Sequence, residues 1–198
     1  MRACPPKLER KRERRRKVTR SASVRLGGTG KSGHPDFKNM PDIYQILKKL
    51  NIQYTEHKHP AVYTVEEAER FRQGIDALHC KSLFIRNKKG DKNYLVIIRA
   101  DKRLKLKALQ EELKESRLSF ASESRLKKYL GVTPGAVSPF GLINDSNQEV
   151  MVVIDNDIWR SQKVAFHPNI NTITLVIKTT DFKKFLSGVR NQVRYFNC

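Results

Sequence analysis

Three stretches of the chain carry residue types suited to chemistry. Lys81 follows His79-Cys80 and opens an apolar run, Ser82-Leu83-Phe84-Ile85, so that one of its neighbours faces a core. A lysine held beside apolar surface loses hydration and can act on a phosphate, a carboxyl or a polarised carbonyl. Most lysines are simply solvated, and residue type alone does not separate the two cases. The segment Gly131-Val132-Thr133-Pro134-Gly135-Ala136-Val137-Ser138-Pro139-Phe140-Gly141 is rich in glycine and proline. Glycine lets backbone approach a ligand and proline stiffens the path, so N–H groups can be presented in fixed geometry to an oxyanion. The same composition also suits a plain rigid connector. His167, in Phe166-His167-Pro168-Asn169, closes an apolar run ahead of a turn, where it either meets a ligand or is satisfied by a backbone carbonyl.

Other chemistries lack their residues. There is no G-x-S-x-G elbow and no H-E-x-x-H, and His34, His57, His59, His79 and His167 do not stand at metal-ligand spacings with acids or cysteines. Nucleophilic triad and zinc mechanisms are disfavoured, and neither metal nor cofactor is expected. Gly30-Lys31-Ser32 has the form of the end of a phosphate-binding loop, but Arg25 stands where that loop needs glycine and no apolar strand precedes it. Cys4, Cys80 and Cys198 are too few and too scattered for a disulfide framework or a C-x-x-C site, which fits a reducing compartment.

The elements that must position these residues follow from periodicity. Ile43, Ile46, Leu47 and Leu50 lie at helical spacing behind Asp42, a candidate N-cap. Ile52 and Tyr54 alternate with polar residues as in a short strand, and Thr64-Val65-Glu66-Glu67 has the form of a capping box opening a second helix. Residues 81–87 and 93–99 flank Lys88-Lys89-Gly90-Asp91 and predict a β-hairpin. Leu106, Leu109 and Leu113 predict one more helix. Leu126, Tyr129 and Leu130 predict another, with Ser122 as its cap and Gly131 at its end. Strands are expected at 150–154, 163–166 and 172–177, and a last helix at about 180–189. This order lacks a strict βαβ rhythm, so an α+β fold with a mixed sheet and packed helices is expected.

Charge divides the chain. Residues 1–39 hold 13 Lys and Arg against 3 acids, and residues 40–198 hold 27 against 17, so each part carries +10 of the net +20. Residues 1–39 combine a basic block, Lys7 to Lys17, with a Gly- and Ser-rich run, too little apolar surface to offset ordering entropy; a disordered basic tail is expected there, and one domain over 40–198. A domain that keeps +10 favours a polyanion, although the same charge also serves solubility. No apolar stretch approaches the roughly 18 residues that span a bilayer, and no signal-peptide core follows the N-terminal charges, so a soluble intracellular protein without membrane contact is expected.

Taken in order, His59-Pro60-Ala61-Val62-Tyr63-Thr64-Val65-Glu66-Glu67, Lys81-Ser82-Leu83-Phe84-Ile85 before a Lys-Lys-Gly turn, the Gly131 to Gly141 loop and Phe166-His167-Pro168 resemble the YbaK/ProX family of freestanding aminoacyl-tRNA deacylases. These are relatives of the editing domain inserted in bacterial prolyl-tRNA synthetases. The resemblance spans Pro41 to about Val189 and implies one α+β domain whose mixed sheet is barrel-like. It implies catalytic roles for Lys81, His167 and Gly135, and substrate contacts from Tyr63, Thr64, Ser82, Gly131, Pro134, Ser138 and Pro139. Ser82 departs from the family, standing where the proline-related branch usually has asparagine. The implied reaction is attack of water on a mischarged aminoacyl ester, alanine on proline tRNA foremost, in the cytoplasm. Cysteine on proline tRNA is the alternative substrate, and a noncatalytic tRNA-binding accessory module is the rival reading. The implied partner is aminoacylated tRNA, with a synthetase or an elongation factor beside it.

Overall fold

The computed structural model describes residues 42–61 and 65–198, without the side chains of residues 65–68. The chain begins with α1 (Ile43–Lys49), whose N-cap Asp42 accepts from Tyr44 N at 2.9 Å and whose Ile43 and Leu47 are buried. Then come β1 (Tyr54–Lys58), α2 (Val65–Arg72) and the hairpin of β2 (Leu78–Asn87) and β3 (Asn93–Arg99). Next are α3 (Leu106–Leu113), β4 (Leu118–Phe120), α4 (Glu123–Leu130) and a 3-10 helix, Pro139–Asn144. The chain closes with β5 (Val150–Asp155), a second 3-10 helix, Asn156–Arg160, β6 (Lys163–Phe166), β7 (Ile173–Lys178), α5 (Thr179–Val189) and β8 (Val193–Phe196).

The strands form one mixed eight-stranded sheet in the order β1-β7-β6-β2-β3-β5-β8, with β4 added on β2. Pairing is parallel for β2 with β6, β3 with β5 and β5 with β8, and antiparallel elsewhere. Strand β3 lies inside the sheet between β2 and β5, and its alternation feeds two cores. Leu95 and Ile97 join the larger one, closed by Ile43 and Leu47 of α1, Leu126 and Leu130 of α4, and Phe182 and Phe185 of α5. Tyr94, Val96 and Ile98 join a smaller one closed by Leu109 and Leu113 of α3. The fold is therefore α+β with a mixed sheet, as the sequence predicts.

Differences from the sequence expectation are local. Strands β4 and β8 and both 3-10 helices are additional, and the second half of the glycine-rich loop is the first 3-10 helix rather than irregular chain. Ser122 occupies the N-cap of α4 but makes no capping bond; its hydroxyl meets Ser124 Oγ at 2.8 Å. The capping box at Thr64 and the tail at 1–39 lie outside the described residues. Among the described residues no helix is long and apolar enough to cross a membrane.

Candidate active site

The site starts from a fork in the sheet. One edge of β2 is taken by β3 along its length. The other edge pairs with β6 only at Leu78 and His79, and with β4 only from Ile85 to Asn87. Between those partners, among the described residues, that edge of β2 meets no strand. His79 O faces β3, where it accepts from Ala100 N at 2.8 Å, and Phe84 O faces the other edge, where it accepts from Ala121 N at 2.9 Å. Backbone alternation then turns the Ser82 N–H and C=O toward the bare stretch.

Side-chain alternation sends Cys80 and Phe84 to the larger core and Leu83 to the smaller one. Lys81 leaves β2 on the Leu83 face, and its Nζ donates to Ala100 O at 3.0 Å. An ammonium has three donors, so this contact anchors the group without exhausting it.

The glycine-rich loop reaches the fork from α4. Thr133-Pro134-Gly135-Ala136 is a tight turn closed by Ala136 N donating to Thr133 O at 3.1 Å, with Gly135 at φ +87°. Proline at the second position and a left-handed glycine at the third are the requirements of a type II turn. The turn ties down the Ala136 N–H and leaves the Gly135 peptide at the exposed tip. Beyond it the chain dives: Ser138 Oγ accepts from Phe140 N at 3.2 Å, Pro139 opens the 3-10 helix, and both are buried.

His167 comes from the turn after β6. Its Nδ1 lies 2.7 Å from Ile173 O, and since a carbonyl only accepts, that nitrogen carries the hydrogen. In the neutral ring Nε2 is then an acceptor. Burial, with help from nearby His59 and Arg72, holds His167 below the usual histidine value, so it is neutral at pH 7. The same applies more strongly to His79, which burial and Arg72 push down to about 4. Cys80 borders the site, and burial pushes its pKa up, so it is protonated and no nucleophile at neutral pH.

These pieces enclose an open hollow of about 390 Å³ whose lining includes Lys81, Ser82, Pro134, Gly135 and His167. Five expected residues thus share one hollow. Gly131, Ser138 and Pro139 are not among its lining residues. Gly131 is the left-handed C-cap of α4, at φ +65°, and Ser138 and Pro139 start the 3-10 helix beneath the turn, so backbone duties account for all three. Tyr63 and Thr64 lie outside the described residues.

Among the lining residues that no motif marks are Arg72 and Phe120. Arg72, in the last turn of α2, pairs with Glu69 at 3.2 Å and borders the hollow. Phe120 lies on the three-residue strand β4 and is 59% exposed. Arg72, Cys80, Phe166 and His167 also border a second, smaller cavity of about 40 Å³, whose lining includes His59, His79 and Thr174. Among the described residues, no His, Cys, Asp and Glu side chains are grouped to hold a metal ion.

A family model described as an aminoacyl-tRNA editing domain matches residues 59–185. The chain belongs to that family. The editing domain so defined takes in the whole hollow, from Lys81 through the turn at Gly135 to His167. The chain is 44% identical over 146 residues to the prolyl-tRNA editing protein ProX of Acetoanaerobium sticklandii, across 73% of this chain and 88% of that protein. It is 33% identical over 152 residues to prolyl-tRNA synthetase associated domain-containing protein 1 of Danio rerio, across 76% of this chain and 82% of that one. A crystal structure described as a candidate trans-editing enzyme for prolyl tRNA synthetase matches at TM-score 0.58 and 18% identity, over 80% of this chain and 98% of that chain; at such identity it shows the shared fold. As an editing domain of the YbaK/ProX family, the protein is an enzyme, an aminoacyl-tRNA deacylase.

Proposed function

We propose that the protein edits in trans, removing alanine from mischarged proline tRNA, with the ester bound in the hollow at the fork of β2. The reading is carried by one observation: Lys81, Gly135 and His167, from three separate segments, border the same 390 Å³ space. Water attacks the ester carbonyl and its proton passes to the departing ribose oxygen, with the neighbouring ribose hydroxyl as the relay. The Gly135 N–H and the Lys81 ammonium stabilise the charge that develops on the carbonyl oxygen. Neutral His167 accepts a hydrogen bond from the substrate's ammonium through Nε2. No protein nucleophile takes part, in keeping with the protonated Cys80 thiol.

The preference for alanine rests on size. The small cavity of about 40 Å³ that shares His167 with the hollow suits a small side chain such as a methyl better than a pyrrolidine ring. Such a second sieve answers a synthetase's weakness, since one methylene of difference is worth only about 1–3 kcal/mol of rejection. The substrate is a proline tRNA because the ProX relative, 44% identical to this chain over 146 residues, is named for prolyl-tRNA editing. In this reading the work is done in the cytoplasm, with a synthetase or elongation factor delivering the tRNA. Residues 1–39 add +10 of charge and lie outside the matched editing domain, so a chain starting at Met40 is expected to keep its turnover and lose affinity at low salt.

The test is deacylation of proline tRNA carrying alanine, cysteine or serine by the purified protein and by Lys81→Ala. The alanine ester is expected to disappear fastest, and Lys81→Ala to slow its loss at least ~100-fold, the scale of one removed oxyanion donor. Faster loss of cysteine would transfer the substrate assignment. Alanine loss no faster than in buffer would refute the reading.

A further inference from the structure

We propose that Phe120 is the platform on which the terminal base of the acceptor strand stacks, a positioning residue for the editing reaction. The inference rests on the reading of the hollow as the ester site and extends it to the nucleotide that carries the ester. An unexpected exposure motivates it. Phe120 is the most exposed of the large apolar side chains named among the described residues, at 59%, yet it borders the hollow rather than an empty surface. Its neighbour Leu118, on the same face of β4, is 4% exposed in the smaller core. The strand therefore has apolar cover available, and Phe120 stands outside it.

Register places the ring relative to the chemistry. Phe120 pairs with Ile85 on β2, and paired residues project from the same face of a sheet. Ile85, Leu83 and Lys81 share that face by alternation. Phe120, Leu83 and Lys81 thus form a short run on one face, all three bordering the hollow, that begins with an open aromatic ring and ends in a lysine. A nucleoside esterified with an amino acid has the same order: a flat base, a sugar, and an acyl group that develops negative charge. Stacking is indifferent to hydrogen-bond pattern and suits an unpaired strand end, which is how proteins hold single-stranded RNA. The net charge of +20 favours this polyanionic occupant over an apolar protein segment.

The test compares Phe120→Ala, Phe120→Leu and Phe120→Trp with the unaltered protein and Lys81→Ala, on alanyl-tRNA and on an alanyl minihelix whose terminal nucleotide lacks its base. With alanyl-tRNA, Phe120→Ala is expected to raise KM roughly ten-fold, within the range of one base–aromatic stack, with kcat within about twofold. Phe120→Trp should restore KM and Phe120→Leu should not, because leucine replaces the apolar area but not the π face. On the baseless minihelix the Phe120 variants should all equal the unaltered protein. An unchanged KM in Phe120→Ala, or rescue by leucine equal to that by tryptophan, overturns the platform while the loss of activity in Lys81→Ala leaves the ester site standing. If Lys81→Ala is fully active, the ester site falls and the platform falls with it.

Discussion

The two halves of the loop between Gly131 and Gly141 share a composition and differ in what lies across from them. Thr133, Pro134 and Gly135 are exposed, and Pro134 and Gly135 border the hollow. Ser138, Pro139, Phe140 and Gly141 are buried against the end of α4. Glycine is needed in both halves for different reasons. At Gly135 the cause is conformation, φ +87°, with nothing nearer to an added Cβ than Asn171 Nδ2 at 3.9 Å. At Gly141 the cause is space, since an added Cβ would lie 2.9 Å from Leu130 Cβ and 3.0 Å from Leu130 O. In the proposed function the first half presents backbone to the ester while the second holds it in place, so damage to each should register in a different measurement.

The largest separation is expected from Gly141→Ala. The added methyl meets the backbone of Leu130, which cannot swing aside, so a loss of about 2 kcal/mol in urea unfolding is expected, typical of overpacking a tight core. Deacylation per folded molecule should be retained. A stable Gly141→Ala protein would mean that the anchor is looser than its geometry.

Gly135→Ala should show the reverse weighting. A left-handed alanine costs about 1 kcal/mol, and the peptide that faces the hollow shifts to relieve it, so kcat should fall roughly ten-fold with only a modest loss of stability. Equal kcat in Gly135→Ala and the unaltered protein would remove the loop from the chemistry.

The smallest difference is expected from acid, which acts on the half-buried histidines of the smaller cavity beside the hollow. His79 is held near 4 when folded against an ordinary value of 6.5. The unfolded chain therefore takes the proton first, and stability should be full above about pH 6.5 and decline as pH falls toward 4. Thermal melts of the unaltered protein and His79→Leu over that range check the sign, with the flatter profile expected for the variant. Identical profiles would mean that His79 is not the group responsible.

Much of this architecture is legible in the sequence. Strong periodicity marks α1, the β2–β3 hairpin, α3, α4 and α5, and β6 falls on Lys163–Phe166 as its apolar run predicts. Strands β4 and β8 are missed for a physical reason: three or four residues give too short an alternation, and their partners are distant in sequence. The site divides similarly. Lys81, Gly135 and His167 stand out because residue type and neighbours agree, whereas Gly131, Ser138 and Pro139 look the same as Pro134 and Gly135 until the packed helix end is known. Phe120 and Arg72 carry no motif; only the fork of the sheet turns an ordinary surface residue into part of a wall.

The central claim is that one hollow receives the aminoacylated end of the tRNA. It is tested most directly by titrating isotopically labelled protein with an adenosine bearing alanine at its 3′ position through an amide in place of the ester, and following backbone amide signals. Saturable shifts concentrated at Lys81, Ser82, Gly135 and His167, lost in Lys81→Ala, are the expected result. Shifts confined to another surface, such as the groove where Ile46 and Leu50 face Phe185 and Val189, would contradict it.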